Sequence, residues 1–232
     1  MILIQEYYES DSSSRNVEIK EALHFNLNNK NIIEIYLLNE KEYEYITELM
    51  TCYTHLKQII TNKRCTFKMA FEFSNQNKFF GSIIIVSNND ISFGPIDYRD
   101  ITNGQFTLDQ SAINQTFINI KKELEQPSRT NIILALSRYE KKNGPTGIPY
   151  LELFNRPDSQ DSWYYKSPII VPEESDFYFG LNGSDNRIAY LLSKCYTLKN
   201  KAKIIITVHH HKSNYRSFKP IVRGPHLTLD IC

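Results

Sequence analysis

A chain of 232 residues, 41% hydrophobic and 23% charged, can bury one sizeable core, and this ordinary globular composition argues against disorder over most of its length. Its formal net charge of +1 gives no global electrostatic drive toward nucleic acid or an anionic membrane. Cys52, Cys65, Cys195 and Cys232 make no CxxC pair, the N-terminal apolar run is too short for a secretory signal, and no stretch approaches the roughly 20 apolar residues of a membrane span, so a soluble cytoplasmic protein with reduced thiols is expected.

Residues 1–8 read as a short strand that begins with Ile2-Leu3-Ile4. The cluster Ser12, Ser13 and Ser14 opens a helical pattern with Ile19, Ala22, Leu23 and Leu27 on one face, since a serine hydroxyl can accept from a free N–H of the first turn. Ile32 to Leu38 is a second β-branched apolar run, and strand, helix, strand at this spacing predicts a parallel βαβ unit. Thr66 can cap a helix through Phe67, Met69, Ala70, Phe71 and Phe73. Ser82-Ile83-Ile84-Ile85-Val86 is the strongest strand signal, and Ile132-Ile133-Leu134-Ala135-Leu136 is another. Such continuous apolar runs belong to a parallel sheet covered on both faces. Beyond residue 140, Gly144-Pro145-Thr146-Gly147 and Arg156-Pro157-Asp158 are loop chemistry. A helix is expected from Asp185 to about Lys194, and a last strand from Ile204 to Val208 running into three histidines. The fold expected is α/β, one domain over residues 1–232 with a mostly parallel central sheet flanked by helices.

Four segments carry candidate chemistry. Asn88-Asn89-Asp90 follows the apolar strand, where ligands bind in open parallel sheets; Asp90 there can hold a hard cation that bridges a diphosphate, or the three residues can simply make a polar turn. Asp161 lies close to the single tryptophan, Trp163, which can stack on a sugar face or anchor the core. Gly180 to Arg187 leads into a helix whose first turn stabilises an ionised Asp185, in a catalytic or merely a capping role. In His209-His210-His211, strand alternation puts His209 and His211 on one face, able to supply a metal ligand and a phosphate contact, with His210 on the other.

In this order the segments resemble glycosyltransferases of the GT-A (Rossmann-like) fold. Asn88-Asn89-Asp90-Ile91 is similar to an NxDI variant of their DxD motif, in the form of a group from large DNA viruses and bacteria that includes a chlorella-virus rhamnosyltransferase domain. Leu134 to Tyr139, Ser159-Gln160-Asp161-Ser162-Trp163, Gly183 to Arg187 and the closing His209-His210-His211-Lys212-Ser213 with Arg216 match as well, so the resemblance runs from about Ile2 to Phe218. It implies transfer of a sugar from a nucleotide-sugar donor, UDP-linked, to a glycan or other hydroxyl acceptor, inverting and assisted by Mn²⁺ or Mg²⁺. Asp90, His209 and His211 would hold the metal, and Asp161 or Asp185 would be the base, with Asp161 ranked first. Gln5, Tyr7, Arg15, Arg64, Asn88, Asn89, Arg138, Gln160, Trp163, Asn186, Arg187 and Arg216 would contact donor or acceptor. Residues 1–138 would form the nucleotide-sugar half and 139–232 the acceptor half. Asn88 departs from the first aspartate of a DxD motif, and that loss weakens cation binding. Two other functions compete: a catalytically silent sugar- or nucleotide-binding module, and a metal-dependent phosphoesterase built on the histidines.

Overall fold

The computed structural model describes residues 1–97, 107–125, 131–143, 145, 149–211 and 221–232. Strand β1 (Ile2–Gln5) leads to helix α1 (Ser13–Leu27), started by Ser12, whose hydroxyl accepts from the Arg15 N–H at 3.4 Å. Strand β2 (Glu34–Asn39), helix α2 (Glu44–Cys52) and strand β3 (Leu56–Ile60) continue the alternation. Helix α3 (Phe67–Ser74) is capped by Thr66, which accepts from the Met69 N–H at 3.3 Å. Strands β4 (Ile83–Ser87) and β5 (Ile91–Phe93) flank Asn88-Asn89-Asp90, and the two-residue strands β6 (Ile96–Asp97) and β7 (Thr107–Leu108) pair as a ribbon. Helix α4 (Gln110–Leu124) and strand β8 (Ile132–Leu136) follow. The chain then forms an antiparallel pair, β9 (Tyr139–Asn143) with β10 (Pro149–Leu153), and strand β11 (Ser162–Lys166). Helix α5 (Ser184–Ser193) and strands β12 (Thr197–Lys199) and β13 (Thr207–His209) complete the elements.

The central sheet has seven strands in the order β12-β8-β11-β4-β1-β2-β3. β3, β2, β1 and β4 run parallel, β12 is parallel to β8, and β11 is antiparallel to both its neighbours, β4 and β8. The two reversals cancel, so β8 points the same way as β4. The carboxyl ends of β1, β4 and β8 therefore meet the amino end of β11 along one edge of the sheet. This is the α/β architecture with a mostly parallel sheet that the apolar runs predict.

Alternation along the strands sorts the core into two layers. Leu3, Ile35, Leu37, Ile85, Leu134 and Tyr164 pack against Ile19, Leu23 and Leu27 of α1 and Ile113, Phe117 and Ile120 of α4. Ile4, Tyr36, Leu38, Ile84, Val86, Ile133 and Trp163 pack on the other face against Phe67 and Phe71 of α3 and Ile188, Leu191 and Leu192 of α5. Each large apolar side chain buried in this way contributes about 1.5–3 kcal/mol. Among the described residues no helix is long and apolar enough to cross a membrane.

A smaller sheet, β10-β9-β13-β5, stands beside the first. β13 is antiparallel to β5 with His209 opposite Ile91, next in sequence to Asp90. Three expectations change here. The strand expected over Ile204 to Val208 is only Thr207–His209, because the Ile204 and Ile205 N–H groups both turn back to the Lys201 carbonyl at 3.0 Å. The first strand ends at Gln5 and not at residue 8, because the Tyr7 N–H goes to Asn39 Oδ1 at 2.8 Å. The stretch beyond residue 140 holds three strands, β9, β10 and β11, where loop residues had suggested little order.

Candidate active site

The site is built on the turn between β4 and β5. Gln5, at the carboxyl end of β1, donates from Nε2 to Ser87 Oγ and to the Asn88 carbonyl, both at 2.8 Å, and so fixes where β4 ends. Across the turn the His210 N–H donates to the Asp90 carbonyl at 2.8 Å. Asp90 is thereby held at the sheet edge, only 5% exposed.

His209 Nε2 lies 2.9 Å from Asp90 Oδ2, and the same oxygen takes Arg15 Nη2 at 2.7 Å. The His209 and His211 rings stack with centroids 5.1 Å apart and 10° between their planes. His210 turns the other way: its Nε2 meets Ser92 Oγ at 2.8 Å and its ring packs on Phe25. Burial alone would push the Asp90 carboxyl up, but His209 and Arg15 outweigh it and hold that carboxyl well below the usual carboxylate range. Burial, and then the charges of His209 and Arg15, lower the His211 value, which favours the neutral imidazole. Asp90, His209 and His211 each offer one ligand atom, and these atoms lie within 4.8 Å of one another. The set fits a divalent cation, and its two imidazoles suit a first-row transition ion better than magnesium.

The second cluster lies where β8 ends and β11 begins. Arg138 Nη1 donates to Asp161 Oδ2 at 2.6 Å and to Ser159 Oγ at 2.9 Å, with the guanidinium 4.4 Å from the Phe154 ring centre. Asn88 Nδ2 donates to the other Asp161 oxygen, Oδ1, at 3.0 Å. Asp185, in the first turn of α5, has a different environment. Burial first, and then the Asp161 charge, push its carboxyl well above the usual carboxylate range. Its side-chain contact is the Ser184 hydroxyl at 3.3 Å. Gly183, the cap of α5, has φ 77°, a left-handed conformation that suits glycine and lets the chain turn sharply into the helix.

Both clusters line one cleft of about 530 Å³, within the range of small-ligand sites. Arg15, Arg64 and Arg138 give it cationic groups, and Asp161, Asp185 and Asn186 line it as well. Among the described residues, Asn88 Oδ1, Asn89 Nδ2, Arg138 Nε and Asn186 Oδ1 are buried there without a hydrogen-bond partner. Orphaned polar atoms in a cleft are what a polar ligand satisfies.

No protein-family model and no curated protein matches the chain. Among solved structures it is similar to a 4-diphosphocytidyl-2C-methyl-D-erythritol synthase from Anaerococcus prevotii DSM 20548, with a TM-score of 0.46 and 12% identity over 86% of this chain and 85% of that one. GalNAc-T7, solved with UDP, GalNAc and Mn²⁺, gives a TM-score of 0.49 and 9% identity over 94% of this chain and 44% of that one, so the chain spans less than half of that protein. A candidate glucose-1-phosphate thymidylyltransferase from Bacillus anthracis, in complex with a sucrose, gives a TM-score of 0.43 and 10% identity over 90% of this chain and 88% of that one.

The cleft brings together Arg15, Arg64, Asn88, Asn89, Asp90, Arg138, Asp161, Asp185, Asn186, His209 and His211. Five other candidates lie elsewhere, each for a physical reason. Gln5 spends its amide on the turn, and Tyr7 is buried edge-to-face on Tyr43 at 5.1 Å. Trp163 is a core side chain, fully buried against Phe67 at 4.8 Å, and does not stack on a ligand in the cleft. Gln160 donates to the Pro157 carbonyl at 2.8 Å inside its own loop, and Arg187 pairs with Glu174 and the Pro225 carbonyl. Arg216, Lys212 and Ser213 lie outside the described residues. Sequence reasoning missed Tyr8, Glu6 and Phe154, and it quoted Ser159 only as part of the Asp161 segment. Tyr8 was within reach, since alternation past β1 puts Tyr7 and Tyr8 on opposite sides. Glu6 holds Arg64 in place at 2.9 Å, a pairing across 58 residues that no local pattern announces.

Proposed function

We propose that this protein is a GT-A-like glycosyltransferase that moves a sugar from a nucleotide-sugar donor, UDP-linked, to a hydroxyl acceptor with inversion at the anomeric carbon. One observation carries the reading: a cation-binding trio with three arginines and a carboxylate of raised proton affinity line the same cleft. The arginines oppose a diphosphate, and the carboxylate answers a weakly acidic hydroxyl. Segment order, from Asn88-Asn89-Asp90-Ile91 to the histidines, supports placing the chain with the viral and bacterial group.

Arg15, Arg64 and Arg138 would draw the donor's diphosphate into the cleft and orient it. Mn²⁺ or Mg²⁺ held by Asp90, His209 and His211 would neutralise charge on the departing diphosphate. Asp185 is the better base. An ionised carboxylate that binds a proton more tightly than usual is a stronger acceptor for the incoming hydroxyl's proton. Asp161, with both oxygens engaged by Arg138 and Asn88, acts as a positioning residue whose charge sustains the raised value of Asp185. This reverses the ranking suggested by the sequence. In this reading residues 1–138 supply the donor half through Arg15, Arg64, Asn88, Asn89, Asp90 and Arg138, and residues 139–232 the acceptor half, with His209 and His211 returning to the donor side.

A panel of nucleotide sugars, screened for thermal stabilisation with and without Mn²⁺, tests donor binding, since a ligand that binds only the folded chain raises its Tm. Release of nucleoside diphosphate with an acceptor, and the anomeric configuration of the product, test the reaction. Binding without turnover would favour a silent module, and phosphate released from a phosphomonoester without acceptor would favour a phosphoesterase.

A further inference from the structure

Arg15 reaches into the cation-binding trio. Its Nη2 is 2.7 Å from Asp90 Oδ2, and its Nη1 is 3.1 Å from His211 Nδ1 and 3.2 Å from Glu18 Oε2. A guanidinium only donates hydrogen bonds, so the tautomer that accepts from Arg15 at Nδ1 carries its proton on Nε2, while Glu18 Oε2, 3.5 Å from the same Nδ1, draws a proton to that nitrogen once Arg15 leaves. A metal ion held by Asp90 and His211 would bring a second positive charge against the carboxylate oxygen that Arg15 already occupies at 2.7 Å, so the arginine and a cation compete for this edge of the site.

We propose that Arg15 is a built-in counter-ion of the cation site, which exchanges with the divalent metal and, once displaced, pairs with the donor's diphosphate. The inference rests on Asp90, His209 and His211 being cation ligands. Glu18 makes the exchange feasible. It lies one turn along α1 and is buried, and it takes an Arg15 N–H independently of Asp90. The guanidinium can therefore let go of Asp90 without losing every anionic partner. His209 Nε2, 2.9 Å from Asp90 Oδ2, would give up its proton when it ligates the cation, so the exchange is also coupled to proton release. Two consequences follow. Metal alone binds more weakly than the ligand set would otherwise allow, because Arg15 must first be displaced. Metal and nucleotide bind cooperatively, because a diphosphate gives the released guanidinium a new partner.

Mn²⁺ binding to the full chain, followed by loss of the free-ion paramagnetic resonance signal, tests this without any turnover. The parent, Arg15→Gln and Asp90→Asn are compared with Mn²⁺ alone and with UDP present. Arg15→Gln is expected to bind Mn²⁺ alone about tenfold more tightly than the parent, within the usual range of site–site coupling. It should also lose most of the gain in Mn²⁺ affinity that UDP confers on the parent. Its melting temperature should fall without metal, because Asp90 and Glu18 lose their counter-ion, and should rise more on adding Mn²⁺ than the parent's does. Arg15→Lys keeps the charge but not the fork, and should fall between the two. If Asp90→Asn loses Mn²⁺ while Arg15→Gln binds it no more tightly than the parent, the exchange is overturned and the cation site survives. If neither the parent nor Arg15→Gln takes up Mn²⁺, the cation site itself fails and the exchange with it.

Discussion

Asn88 is joined to Asp161 twice, by its side-chain amide at Oδ1 and by its backbone N–H at the carbonyl, each at 3.0 Å. The turn after β4 and the start of β11 are therefore one unit, and position 88 needs a donor. An aspartate there would face Asp161 with no hydrogen to share. Asn88→Asp is expected to lower stability at neutral pH by about 1–3 kcal/mol, the order of one buried polar group left unsatisfied. The loss should shrink below about pH 4, where carboxyls take up protons. Urea unfolding at both pH values checks this, and an equal loss at each would rule out charge as the cause.

Asp185 makes a pH-dependent contribution of known sign. Its folded value is raised, by burial and then by Asp161, above the unfolded value of about 3.9. Between those two values the folded chain holds the proton more tightly, so the contribution favours folding at low pH and is lost as pH rises through the folded value. Asp185→Asn removes that titration. The variant should melt with the parent near pH 3.5 and above it at about pH 8, by about 2–4 °C per kcal/mol relieved. A gain that is the same at both pH values would contradict the raised value.

The proposed role of the same residue as base gives a kinetic test. With an active donor–acceptor pair, Asp185→Asn should cut kcat by about 10²–10⁴-fold while donor binding survives, since asparagine keeps the shape but cannot take the proton. Asp161→Asn should behave differently. It takes from a mostly buried arginine its nearer anion and leaves Glu140 at 3.4 Å, so it should cost less than the ~3–5 kcal/mol of a fully broken buried pair, and it should move the acid limb of the kcat profile to lower pH, because Asp185 loses a neighbouring charge. Undiminished turnover in Asp185→Asn would remove it as the base.

The three histidines should separate cleanly. His209→Ala and His211→Ala should weaken Mn²⁺ binding, read by calorimetry with the metal alone. His210→Ala should leave that affinity near the parent's and cost stability instead, because its ring packs on Phe25 and meets Ser92. Equal loss of metal binding in all three would contradict the geometry.

The central sheet was legible because its strands are covered on both faces: Ile83 to Val86 and Ile132 to Leu136 are continuous apolar runs of strand length. β9 and β10 were not legible, because a half-exposed pair tolerates Lys141, Lys142 and Glu152, which look like loop. In the site, Asp90 and the same-face histidines followed from strand ends and period-two alternation. Trp163, a carbohydrate-stacking candidate by type, went to the core because β11 is an interior strand with Ser162 pinned at its start. Tertiary pairings such as Glu6 with Arg64, or Asn88 with Asp161, leave no local trace.

The reversed strand β11 also has a bearing on how such a site can diversify. Leu136 and Ser162 are register partners in neighbouring strands, so everything between them leaves the sheet and returns to almost the same point. That excursion carries Phe154 and Ser159 into the cleft lining, where both touch Arg138. Within the excursion β9 is tied to the candidate cation site, since Glu140 is the register partner of His209, whereas β10 lies at the outer edge of the smaller sheet and pairs with β9. Lengthening or exchanging β10 and the loop that follows it, with β9 kept, is therefore a direct route to a changed ligand range that leaves the His209 strand in place.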